Sequence, residues 1–234
     1  MRELEALGDP AARAGMARFG IDTTTALGVS VTSLRQLAKP LRRDHQLALD
    51  LWDTGVHEAR LLATMIDDPH EVTTAQMEGW AAGFNSWDLV DQCCGNLFDK
   101  TPFARSKALE WSVRSEEFVK RAGFALMACL AVHDKQAADE DFTPFFERIE
   151  AEANDARNFV KKAVNWALRQ IGNRNAALNE RAIQTGLRVQ QIGSPPARWI
   201  ASNALRELRS EAVQRRLDPA GQPSLVVEWV SEGA

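Results

Sequence analysis

The chain contains no tyrosine, so no phenol is available as a contact or a proton donor. Cysteine is scarce. Cys93, Cys94 and Cys129 form no C-x-x-C pair, which leaves a zinc ribbon, a redox motif and a disulfide framework unsupported. Adjacent Cys93 and Cys94 point in different directions from a helix and read as buried thiols. The histidines are His45, His57, His70 and His133. His57-Glu58 begins like a zinc-protease helix, but Leu61 stands where the second histidine must be. No apolar run approaches the length of a membrane span. The opening stretch "MRELEALGDP" has no signal-peptide apolar region, so a soluble, cytoplasmic protein is expected.

What is present is a chain of 234 residues, 45% apolar, enough for one sizeable core or a short repeat array. The net charge of −4 is not the basic balance of most nucleic-acid binders. The charges are segregated, however. "RQLAKPLRR" (35–43) holds four basic residues and no acid. "DARNFVKKAVNWALRQIGNR" (155–174) holds five basic residues and one acid. Acids collect in "DED" (139–141) and "ERIEAEAND" (147–155). Runs of this kind are usually solvated helix faces, but their separation permits a basic groove on an acidic body.

Apolar residues recur at three- and four-residue spacing through "HQLALDLW", "EARLLATMI", "EFVKRAGFALMACLAV", "FVKKAVNWALRQI" and "ARWIASNALREL". Short breaks at "DDPH", "DKTP", "GNRN" and "GSPP" carry the Gly, Pro or Asn that stop helices. Only "SLVVEWV" (224–230) resembles a strand, and it has no partner. The chain also repeats itself: "VKRA" (119–122) returns as "VKKA" (160–163), and "WALRQI" (166–171) as "NALREL" (203–208). A period near 40 predicts an all-α, curved solenoid of stacked antiparallel helix pairs, in preference to a generic helical bundle. The predicted solenoid covers residues 1–216, with a C-terminal tail at 217–234.

Trp52, Trp80, Trp111 and Trp199 read as core residues. Trp87 and Trp166 stand apart because charges lie at helical contact spacing from each. Asp91 is four residues after Trp87, and Lys162, Trp166 and Arg169 form a stripe at i, i+4 and i+7. Arg121 lies in a comparable place on the intervening helix.

The segments "RFGI" (18–21), "GVSVTSLRQLAK" (28–39), "SWDLVD" (86–91), "FVKRAGFAL" (118–126) and "NFVKKAVNWALRQIG" (158–172) together resemble the DNA alkylation-repair glycosylases of the AlkD type, a HEAT-like repeat family. The resemblance covers most of the chain. It implies a monofunctional glycosylase acting on cationic N3- or N7-alkylated purines in double-stranded DNA, with no metal or organic cofactor and a monomeric state expected. It assigns Asp91 as the catalytic carboxylate, Trp87 and Trp166 as aromatic walls, and Arg121, Lys162 and Arg169 as DNA-binding cations. A non-catalytic binder of distorted or branched DNA and a protein-binding scaffold are the competing readings.

Overall fold

A computed structural model describes residues 1–217; of the tail expected at 217–234, Leu217 ends the last helix and the rest, including "SLVVEWV", lies outside the described residues. Among the described residues there are helices and connecting turns, with no strand. The helices are α1 (Arg2–Ala6), α2 (Pro10–Met16), α3 (Val31–Ala38), α4 (His45–Asp53), α5 (His57–Ile66), α6 (Thr74–Ala82), α7 (Trp87–Asn96), α8 (Ala104–Trp111), α9 (Glu117–His133), α10 (Thr143–Ala151), α11 (Asn158–Gly172), α12 (Ala176–Ile192), α13 (Pro195–Leu208) and α14 (Glu211–Leu217). None is long and apolar enough to cross a membrane.

The odd-numbered helices from α3 to α13 pack successively on one another, and α4, α8 and α12 back them. The result is a solenoid of helix pairs. Helices α9, α11 and α13 begin at residues 117, 158 and 195, which reproduces the sequence shifts of 41 and 37. Helices α5, α7 and α9 begin at 57, 87 and 117, so the N-terminal half uses a shorter step.

Sequence chemistry explains the boundaries. Ser30, Asp44, Thr73, Asn175 and Ser194 each accept a backbone N–H from the first turn of the following helix. Helix α9 is buried from Val119 to Ala131, because neighbours cover it on several sides. Trp52 and Trp80 stack with ring centroids 4.1 Å apart, and Trp111 is fully buried, as the sequence predicts. Trp199 corrects that reading: it is 39% exposed, with the Lys161 ammonium 4.9 Å from its ring. On α13 the buried positions are 196, 197, 200, 201, 204, 205 and 208, so 199 falls outside the buried face.

His57 and Glu58 serve the fold. The fully buried Glu58 carboxylate accepts the backbone N–H groups of Leu27, Gly28 and Val29 at 2.7, 2.7 and 3.3 Å. Gly28 sits at φ 86°, with Asp9 backbone so close that no side chain fits. His57 Nε2 lies 2.8 Å from Asp88. All three cysteines are buried and free, and burial pushes their thiols well above the ordinary range.

Candidate functional site

The site begins at the N-terminus of α7. Ser86 is the fully buried N-cap, and its hydroxyl donates to Asp88 at 2.7 Å. Burial works to raise Asp88, but hydrogen bonds from His57 and Ser86 outweigh it and hold the carboxyl below its usual value. Trp87 is the first helical residue, and its indole N–H donates to the Phe19 carbonyl at 2.9 Å. One turn later, Asp91 points toward α9.

There it meets Arg121. The guanidinium donates Nε to one Asp91 oxygen at 3.0 Å and Nη2 to the other at 2.7 Å, a two-point pair. Nη1 donates to the Phe159 carbonyl on α11 at 2.7 Å. Arg121 is 5% exposed, and its guanidinium carbon lies 5.9 Å from the centre of the Trp87 ring. A guanidinium this deep must be paired, so α7, α9 and α11 are tied together through one side chain. Burial pushes the Asp91 carboxyl above the usual aspartate range, against the opposing pull of Arg121.

A cleft of about 510 Å³ opens beside this pair, lined by Arg18, Phe19, Gly20, Trp87, Arg121, Asn158, Phe159 and Lys162. Lys162 is exposed and has no ion-pair partner among the described residues.

The remaining predicted residues are placed differently. Trp166 is half-buried against the core, one turn beyond Lys162, and does not line the cleft with Trp87 and Arg121. Arg169 pairs with Glu207 of α13, which also accepts from Asn173 at 2.9 Å. Burial works to raise Glu207, but Arg169 and Asn173 outweigh it and hold its carboxyl low. The family resemblance assigns Arg121 and Arg169 as DNA-binding cations, and in the structure both are engaged within the protein. The cause is tertiary: each meets an acid or a carbonyl roughly one repeat away, at Asp91, Phe159 and Glu207.

The same holds for much of the basic 155–174 run. Arg157 pairs with Asp155 at 2.5 Å, and Arg174 donates to the Ala131 and Ala137 carbonyls at 3.0 Å each. The 35–43 run differs. Arg35, Lys39 and Arg42 have no ion pair among the described residues, and Arg43 touches Asp68 only at 3.6 Å. They line a second cleft with Lys100 at the C-terminal ends of α3, α5 and α7. Helix α7 runs from the first cleft to the second, a span of about 14 Å at 1.5 Å per residue.

The Phe19 turn belongs to this site and was missed as such in the sequence. "RFGI" stands there, but nothing local tells that it reaches a helix beginning 68 residues later.

Comparison with known proteins agrees with this architecture. Among curated proteins nothing matches the chain. A solved structure matches with a TM-score of 0.72, covering 80% of each chain at 22% identity. It comes from a family of proteins related to the HEAT-like repeat DNA glycosylases, with affinity for branched DNA structures. At that identity the likeness shows the shared fold, a HEAT-like repeat solenoid. The profile of the DNA alkylation repair enzyme family matches residues 1–208, nearly all of the described solenoid, and the chain therefore belongs to that family.

Proposed function

We propose that this protein is a DNA glycosylase that hydrolyses the N-glycosidic bond of cationic N3- or N7-alkylated purines in double-stranded DNA. The observation that carries the reading is the Trp87–Asp91 pair beside an open cleft, with the carboxylate aimed by the two-point grip of Arg121. An alkylated purine already carries positive charge and leaves without a general acid. As the C1′–N bond breaks, positive charge builds on the sugar. Asp91 opposes that charge and orients the water whose oxygen bonds to C1′. The water's proton passes to solvent, and the base departs with the bond's electron pair. Trp87 offers an aromatic face to a cationic nucleotide in the cleft, worth roughly 0.5–2 kcal/mol depending on desolvation.

Phosphate contacts fall to Lys162, as the resemblance implies, and to a second set of cations. Among the described residues Arg18 and Lys162 are cations of this cleft without an acid partner, and the Arg35, Lys39 and Arg42 cleft supplies positive charge at the far end of α7. The two clefts lie at opposite ends of α7, so DNA that meets both would run along that helix. In this reading Arg121 positions Asp91, and Arg169 reaches DNA only by exchanging Glu207 for a phosphate.

A second reading, a non-catalytic binder of distorted or branched DNA, is favoured by one specific observation. Both Asp91 oxygens are already occupied by Arg121, which leaves less of the charge for a sugar cation. Incubation with methylated DNA, followed by chromatography of released bases, separates the two. Release above the spontaneous rate supports the glycosylase, and binding without release supports the alternative.

A further inference from the structure

We propose that Phe19 is a platform on which an unstacked nucleobase of bound DNA rests. This goes beyond the glycosylase chemistry, and it rests on the reading of the cleft as a DNA site. Phe19 is 70% exposed, more than any other large hydrophobic side chain among the described residues. Such exposure is usually a sign of a mobile turn, but this turn is gripped on several sides. The Trp87 indole N–H holds the Phe19 carbonyl at 2.9 Å, and Gly20 N–H closes back on the Ala17 carbonyl at 3.0 Å. Gly20 adopts φ 74°, and a Cβ there would lie 2.7 Å from the Phe159 ring, so the backbone abuts that ring directly. Asn85, just before α7, donates to Asp22 at 2.8 Å. The backbone is fixed, and the Phe19 ring is left exposed.

The surroundings select the occupant. Phe19 projects at the rim of a cleft whose exposed cations, Arg18 and Lys162, have no acid partner among the described residues. Of the carboxylates nearby, Asp91 is paired with Arg121 and Asp22 accepts from Asn85. A protein interface needs a contiguous apolar area, whereas this is a single ring between positive charges. A nucleotide fits both parts: its base stacks on the ring, and its phosphates meet the cations. Every base presents a π-face, so the contact discriminates by whether a base is unstacked rather than by sequence. That would give a shallow surface, without an enclosing base pocket, a means of sensing a distorted or unpaired position.

The test uses a duplex carrying 2-aminopurine at a one-nucleotide bulge and the same duplex fully paired, with full-length protein. The wild type is expected to bind the bulged DNA more tightly and to quench the probe. Phe19→Leu keeps an apolar side chain and removes the stacking face. It should weaken bulged-DNA binding by about tenfold, abolish the quench, and leave paired-duplex affinity and the melting temperature unchanged. Phe19→Trp should restore both binding and quench. A Phe19→Leu protein with wild-type affinity and quench overturns the proposal, as does an equal loss on both duplexes. Wild-type protein that binds neither duplex at low salt overturns the DNA reading itself, and Phe19 with it.

Discussion

Asp91→Ala leaves the Arg121 guanidinium, 5% exposed, without the partner of two of its nitrogens. Breaking a buried ion pair by removing one member costs roughly 3–5 kcal/mol. The Asp91 side chain retains 20% exposure, so water can reach the gap and the lower figure applies, about 3 kcal/mol. For a protein of this size each kcal/mol lowers the melting temperature by about 2–4 °C, so the expected drop is about 6–12 °C. Asp91→Asn keeps one acceptor oxygen for Arg121 and should lose about half as much. Arg121→Met leaves Asp91 uncompensated and frees the Phe159 carbonyl, so it too destabilises. The double variant Asp91→Ala/Arg121→Met removes both charges and should lose less than the sum, by 1 kcal/mol or more. Thermal melts of wild type and the four variants at neutral pH decide the matter. Single variants that melt within about 1 °C of wild type, or that add in the double variant, would refute a coupled buried pair.

Four further outcomes follow from the geometry. Lys162→Ala should weaken binding to all DNA sequences alike and flatten the salt dependence by roughly 0.9 of a slope unit, read from titrations at several salt concentrations. Arg169→Ala should change that slope little, because Glu207 already holds the side chain, whereas Glu207→Gln should tighten binding and steepen it. Base release should fall on acidification at a pH above the usual aspartate range, because burial raises Asp91 and protonation removes its charge. Arg121→Met should move that limb higher still by removing the opposing pull, measured after subtracting spontaneous depurination. Glu58→Gln replaces a buried acceptor of three backbone N–H groups with a side chain half of which is a donor, and should cost about 1–3 kcal/mol in a denaturant melt.

The solenoid was legible because its repeats differ little in the C-terminal half: helix α11 restates α9 at a shift of 41. Trp87 and Asp91 were legible as a pair because helical spacing alone puts them on one face. The occupation of the cations was not. Whether Arg121 and Arg169 are free depends on what lies opposite, and those partners come from helices 30 to 38 residues away. A charge run counts the cations and omits the acids and carbonyls that tertiary packing delivers to them. The 35–43 run kept its free charge because the helix ends it faces bring only Asp67 and Asp68. Asp67 is already engaged by His45 and Gln76, and Asp68 accepts from the His70 backbone and meets Arg43 at 3.6 Å.

The measurement that tests the central claim most directly is single-turnover release of N7-methylguanine from methylated duplex DNA, by wild type and Asp91→Asn in parallel, with each protein's DNA affinity measured beside it. Wild type is expected to release the base well above the spontaneous rate. Asp91→Asn should bind DNA at least as tightly but release base about two to three decades more slowly, the loss of a placed electrostatic group. Wild-type release equal to the spontaneous rate, with DNA still bound, would contradict a glycosylase and leave the non-catalytic DNA-binding reading.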